Sequence, residues 1–260
     1  MPPEPRISLL CLPHSGAGGT IFRGWRWLES AGVEVMPLTL PGRDHRRGEQ
    51  PLRTAPDLIV DFMTRTGVPP EGPYVLYGHS LGGLAAFTVT DALAAAGLPL
   101  PALVAVGACP PPDAPLPVLD RPDCPDEQLL EHMGLIGGVP DGAVPGDVWH
   151  RAVLPVLRID LRLATALRKA AHRPLPVPLL AVAGTDDPLA GPGVMAGWRR
   201  WTTSRFTGRS VPGGHFFVRD SHLPVLLAEA CAAVRRHAAT SPTSGGHPTM
   251  TTGSGAGVAR

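Results

Sequence analysis

Three side chains in this sequence have the types, order and spacing of a serine nucleophile with its base and its acid. Ser80 lies in YVLYGHSLGGLAAF, which reads as an apolar run, a sharp turn with glycine two residues to either side of the serine, and an Ala-rich stretch. A serine hydroxyl is a weak nucleophile at neutral pH. It needs a base within hydrogen-bond reach, and the base needs an orienting acid. At the tip of a strand–turn–helix the hydroxyl projects above the sheet edge, and glycine on both sides relieves the crowding of the turn. The acid candidate lies in LLAVAGTDDPLA, after a second apolar run. Both Asp186 and Asp187 could serve; the G-x-x-D spacing favours Asp187 and leaves Asp186 to the turn. The base candidate is His215 in SVPGGHFFV, 28 residues beyond Asp187. An oxyanion formed at the serine needs two N–H donors. The backbone N–H of Leu81, at the start of the following helix, is one candidate. The second should come from the early loop PHSGAGG, where Ser15 is the candidate.

The other histidines have plainer readings. His79 adjoins Ser80, but neighbours on a sharp turn point apart, so it reads as a packing residue. His14 is a candidate lining residue, and His222 caps the last helix. His132, His150 and His172 fall in a central segment with no partner legible from sequence. The ten histidines include no H-E-x-x-H pair, so no metal site is expected, and the serine chemistry itself needs no bound cofactor.

The elements that must position these residues can be read from pattern. Strands are expected at Ile7–Leu12, Val33–Leu38, Tyr74–Tyr77, Ala102–Gly107, Leu179–Ala183 and Phe206–Val211. Helices are expected from near Thr20 with Phe22, Trp25 and Leu28, and over Ala55–Thr66, Leu81–Ala96 and Pro224–His237. This alternation predicts a mostly parallel sheet flanked by helices. The order serine, aspartate, histidine is that of the α/β-hydrolase fold. Between about residues 111 and 176 the alternation stops, and helical patterns appear at Asp126–Met133, Trp149–Leu154 and Ile159–Ala171. The segment leaves the sheet at a strand's C-terminal edge, where α/β proteins place their sites, and reads as a helical lid insertion. Residues 1–237 form one domain in this reading, and 238–260, rich in Ser, Thr and Gly, a disordered tail.

Composition narrows the class. The chain has 260 residues, 43% hydrophobic and 17% charged, with a net charge of +1. That suits one α/β domain and argues against a nucleic-acid partner. The apolar run before Pro13 is too short for a signal segment or a membrane span, so a cytosolic protein without a membrane partner is expected. None of the four cysteines forms C-x-x-C. Cys11 and Cys231 lie in apolar surroundings and read as buried thiols.

The segments LLCLPHSGAGG, LPGRDHR, YGHSLGG, LPVLRIDLRL, AGTDDP and PGGHFF occur in the order found in type II thioesterases, the free-standing editing enzymes of polyketide and nonribosomal peptide assembly lines. The sequence resembles that family from about Leu9 to His237. The resemblance implies that Ser80, Asp187 and His215 are the catalytic residues and that Pro13-His14-Ser15 is the oxyanion loop. It implies a helical lid from Asp126 to Ala171. It implies a substrate acyl group, thioester-linked to the phosphopantetheine arm of a carrier protein. Two departures stand near the oxyanion hole. The turn reads Ser-Leu-Gly-Gly where the family more often has Ser-Met-Gly-Ala, and the loop reads His-Ser-Gly-Ala where His-Ala-Gly-Gly is usual. They leave the acyl preference open. An acidic carrier would favour basic residues at the mouth, and Arg43, Arg46 and Arg47 are candidates, with a solvated loop as the alternative. Arg158 and Asp160 either support the lid or pair with each other. Product-releasing thioesterase, general esterase or acyl-CoA hydrolase, and non-catalytic synthase partner stand as alternative functions. The oligomeric expectation is a monomer.

Overall fold

Every residue of the strands ahead of Ser80 and of Asp187 is buried, as a parallel sheet covered on both faces requires. The computed structural model describes residues 6–65, 69–116, 123–139 and 146–240. Its six strands are β1 (Ile7–Leu12), β2 (Val33–Pro37), β3 (Tyr74–His79), β4 (Leu103–Gly107), β5 (Leu179–Gly184) and β6 (Phe206–Val211). They form one sheet in the order β2-β1-β3-β4-β5-β6, and every pairing is parallel. The chain starts inside the sheet, steps outward to β2, and returns past β1 to build the other side. The reversal lies between β1 and β3, and crevices at such a switch point hold the ligands of open α/β sheets. The loop with Ser15 follows β1, and the turn with Ser80 follows β3.

The helices are α1 (Ala55–Met63), α2 (Leu81–Ala95), α3 (Asp126–Leu135), α4 (Val148–Ala170), the single turn α5 (Pro192–Met195) and α6 (His222–Thr240). One face of the sheet is covered by α1, α2 and the second half of α4, through Leu58, Phe62, Phe87, Leu163 and Leu167. The other is covered by Gly19–Ala31 and α6, through Phe22, Trp25, Leu28, Leu223 and Leu227. A third, smaller cluster holds Cys124, Leu129, Met133, Ile136, Leu157 and Leu161, with Leu189 and Phe216 packed against it. The expected insertion therefore divides. Its α3 and α4 as far as Leu161 form a separate cap, and α4 from Leu163 onward belongs to the main core.

Several expected boundaries move. Gly19–Ala31 winds as a 3-10 helix, whose three-residue turn aligns Phe22, Trp25 and Leu28 on one buried face. The two helical patterns around Pro155 are one continuous helix, α4. An internal proline removes one i→i−4 hydrogen bond. Burial of Leu157 and Leu161 in the small cluster and of Leu163 and Leu167 in the main core holds the helix together. Asp147 caps its start, accepting from the His150 N–H at 2.7 Å. His150 also finds a partner there, with Nδ1 2.9 Å from Asp147 Oδ1. His222 is the first residue of α6 rather than a residue ahead of it, and α6 runs on through Thr240. Of the expected tail, residues 241–260 lie outside the described residues, as does Thr66 at the end of the expected second helix. All four cysteines are buried thiols. Among the described residues no helix is long and apolar enough to cross a membrane.

Candidate active site

The turn between β3 and α2 puts Ser80 at φ 53° and ψ −117°, a strained conformation for a residue with a side chain. Ser80 makes no side-chain capping bond to α2, so an ordinary N-cap role is excluded. The two flanking glycines have different reasons. A Cβ on Gly78 would lie 1.9 Å from the Gly82 carbonyl oxygen, so this glycine is required by the turn itself. A Cβ on Gly82 would lie 2.2 Å from the Leu12 carbonyl oxygen, so this one lets the first turn of α2 press against the end of β1. That contact brings the loop after β1 beside Ser80.

His215 Nε2 is 3.2 Å from Ser80 Oγ, and His215 Nδ1 is 2.9 Å from Asp187 Oδ2. The second carboxylate oxygen of Asp187 accepts from the N–H groups of Leu189 at 2.9 Å and Ala190 at 3.0 Å. Burial alone would raise the Asp187 carboxyl. The bond from His215, the charge there and the two N–H donors hold it below the ordinary value. Asp186, the competing carboxylate, is exposed and accepts from Thr185 Oγ1 at 3.1 Å. Only Asp187 of the pair reaches His215. Gly184 makes the junction possible. A Cβ there would lie 2.5 Å from the Gly213 carbonyl oxygen, where the loop carrying His215 crosses the one carrying Asp187.

His79 does more than pack. Its Nε2 lies 2.8 Å from the His215 carbonyl oxygen, and its Nδ1 lies 2.7 Å from Tyr77 Oη. The ring therefore donates to the backbone of the candidate base and accepts from Tyr77. Burial keeps its pKa well below the ordinary histidine value, so it stays neutral in this role. His14 is buried against the Phe216 ring at 4.9 Å, with Nδ1 2.9 Å from the Ser15 carbonyl oxygen. Its pKa is pushed down to about 4, mainly by burial.

Ser15, Ser80 and Leu81 line one cavity of about 50 Å³, closed by Leu84, Cys109 and Leu161. Leu81 opens α2, and the N–H at that position has no carbonyl inside its own helix to bond. Larger grooves of about 520 and 880 Å³ exist, but neither is lined by Ser80.

The structure corrects the reading of the charged residues. Arg43 is not at a mouth. It is buried, and its guanidinium makes a two-pronged pair with Asp160 at 2.7 and 2.6 Å. Arg46 pairs with Glu49 and with Asp61, leaving Arg47 as the exposed member of the three. Of the two readings of Arg158 and Asp160, mutual pairing is overturned, and support of the lid holds for Arg158, which pairs with Asp126 of α3. The Arg43–Asp160 contact joins residues 117 positions apart. Both stood in quoted segments, but no local pattern signals that they meet.

Comparison with known proteins matches this geometry. The model of the thioesterase domain family covers residues 7–233. The thioesterase PikA5 of Streptomyces venezuelae is 31% identical over 222 residues, spanning 84% of this chain and 78% of its own. The solved RedJ thioesterase of the prodiginine biosynthetic pathway in Streptomyces coelicolor superposes with a TM-score of 0.76 at 30% identity, covering 90% of this chain and 92% of its own. YbtT, described as a type II thioesterase of the yersiniabactin pathway, superposes at 0.75 with 25% identity, covering 91% and 95%. It has also been solved as a serine-to-alanine mutant. The chain belongs to the thioesterase family: it is a thioester hydrolase on the α/β-hydrolase fold, similar throughout to the type II thioesterases.

Proposed function

We propose that this enzyme removes acyl groups from the phosphopantetheine arm of carrier proteins in polyketide or nonribosomal peptide assembly, clearing misprimed or stalled chains, through an acyl-enzyme on Ser80. The observation that carries this reading is the hydrogen-bonded line from Ser80 Oγ through His215 to Asp187 beside a leucine-lined cavity. His215 Nε2 takes the proton of Ser80 as Oγ attacks the thioester carbonyl. The N–H groups of Leu81 and Ser15 receive the developing oxyanion. The imidazolium then gives its proton to the departing thiolate. In the second half a water, deprotonated by His215, attacks the acyl-serine and Ser80 leaves with the proton returned. Asp187 holds the imidazole tautomer and stabilises its cation. These steps use side chains, backbone and water, with no metal or bound cofactor, and every group comes from one copy of the chain.

The apolar lining of the cavity at Ser80, with Leu81, Leu84, Leu116, Leu161 and Leu189, supports an acyl chain as the part of the substrate held there. The carrier as donor is supported by the biosynthetic pathways named for the relatives, those of prodiginine and yersiniabactin among them. The test is thiol release from acetyl-, propionyl- and longer acyl-carrier proteins and from the matching free thioesters, with wild type and Ser80→Ala. Trapped acyl-enzyme is followed by intact mass. Carrier-bound hydrolysis that disappears in Ser80→Ala is expected. Turnover of free esters alone would favour a general esterase, and the absence of any acyl-enzyme would remove the mechanism.

A further inference from the structure

The loop that offers Ser15 as an oxyanion donor is gripped from outside by one buried ion pair. His14–Ala17 is a turn closed by the Ala17 N–H on the His14 carbonyl at 3.1 Å. Gly16 takes φ 79° at its third position, where a type II turn requires a positive φ. The central peptide of that turn is held at both ends. Its carbonyl, on Ser15, accepts from His14 Nδ1 at 2.9 Å. Its N–H, on Gly16, donates to Asp160 Oδ2 at 2.7 Å. The same Asp160 carboxylate receives Arg43, and Arg43 Nη1 also donates to the Ala17 carbonyl at 3.2 Å. Arg43 and Asp160 are 8% and 1% exposed, so water offers these groups no substitute partners. Asp160 stands on α4, beside Leu161 and one turn before Ala164, both of which wall the cavity at Ser80.

Resting on the proposed role of Ser80 and Ser15, we propose that Arg43 and Asp160 are positioning residues that lock the oxyanion loop to the cavity-wall helix. The lock keeps the Ser15 N–H aimed at the reacting carbonyl. The pair is not needed to bind the acyl group or to activate Ser80. It acts on the tetrahedral state alone, because that state is the one that needs the donor.

The test is the double variant Arg43→Met with Asp160→Leu, which removes both charges together. Replacing a buried pair by apolar residues of similar size avoids leaving one charge unpaired and commonly preserves the fold. Competent sites are counted by the p-nitrophenyl acetate burst, and kcat and KM on acetyl-pantetheine are expressed per titrated site. Affinity for propylboronic acid, which forms a tetrahedral adduct on a reactive serine, is measured alongside. Expected is a fall in kcat of about 100-fold, the range reported for loss of one oxyanion donor. KM should stay within about threefold, and boronate affinity should weaken in step with kcat. A purely structural role would lower the titrated fraction and the melting temperature without changing kcat per site, and that result overturns the proposal. Should the double variant not fold, Arg43→Lys keeps the charge but loses the two-pronged geometry. It is expected to lower kcat about tenfold by the same criterion, and an unchanged kcat per site again overturns the proposal. Wild type that forms no boronate adduct, or Ser80→Ala that keeps activity, would instead remove the reading of Ser80 and overturn the proposal with it.

Discussion

The turn around Ser80 lines the small cavity, and the cap built on α3 and the adjoining part of α4 reaches that cavity through Leu161, yet the two are held in opposite ways. The turn is fixed by main chain against main chain: Gly78 on the Gly82 carbonyl, Gly82 on the Leu12 carbonyl. The cap is held by side chains, a cluster of six buried residues and the surface pairs of Arg158 with Asp126 and Arg162 with Asp123. Main chain packed so closely that a Cβ has no room cannot relax without moving a strand, whereas packed side chains can separate and re-form. The chemistry needs a geometry that does not drift, and substrate entry needs a wall that can move. The two halves of the site meet those needs with different contacts.

The sharpest way to break this contrast is one substitution made in both places. Gly82→Ala forces a Cβ into the Leu12 carbonyl and should cost about 4 kcal/mol or more, lowering Tm by roughly 10 °C. Gly134→Ala in α3 meets no atom within 4 Å and should stabilise by about 0.5–1 kcal/mol. Thermal unfolding of the two variants should therefore shift in opposite directions, and equal shifts would end the distinction.

The next comparison is between two fully buried leucines. Leu76→Ala in β3 should lower global stability by about 3–5 kcal/mol. Leu157→Ala in the cap should lower global stability by less, because its cluster is separate from both sheet cores, while hydrogen exchange in α3 accelerates. Equal losses by chemical denaturation would mean that the cap unfolds with the sheet.

A smaller effect comes from pH. Burial pushes His14 down to about 4, whereas an unfolded chain titrates near 6.5. Between those values the unfolded state binds more protons, so stability falls as the solution is acidified. At pH 5 the His14 contribution to this loss is about 2 kcal/mol. His14→Phe should flatten that part of the acid slope, leaving the part due to His79, which is depressed in the same direction. The neighbours that act on His14, the cations Arg219 and Arg43 and the ring of His215, remain in place in the variant. Denaturation midpoints at pH 7 and pH 5 measure the slope. At the bottom of the scale, Arg162→Ala removes an exposed pair and should change stability by no more than about 0.5 kcal/mol.

Much of the site is legible without coordinates because its parts are local. The glycines at positions 78 and 82, the apolar runs ahead of Ser80 and Asp187, and the Gly-Gly ahead of His215 are patterns of a few residues, each carrying its own physical requirement. The spacing of Phe22, Trp25 and Leu28 announces a buried helical face, but not that the helix is of the 3-10 kind. The segment around Pro155 misleads for the opposite reason. Proline speaks against a helix locally, and the leucines that sustain it act through partners in two different cores.

What the sequence by itself determined is the order of strands and helices and the identity of the serine, the histidine and a pair of adjacent aspartates. These follow from periodicity and from the backbone freedom of glycine, which act within a turn or two of chain. Only the tertiary structure decided that Asp187 rather than Asp186 meets His215, that His79 supports the carbonyl of the candidate base, and that Arg43 is buried on Asp160 instead of facing solvent. Each depends on a partner tens to more than a hundred residues away, and a charged side chain carries no local mark of whether its partner is water or another buried charge.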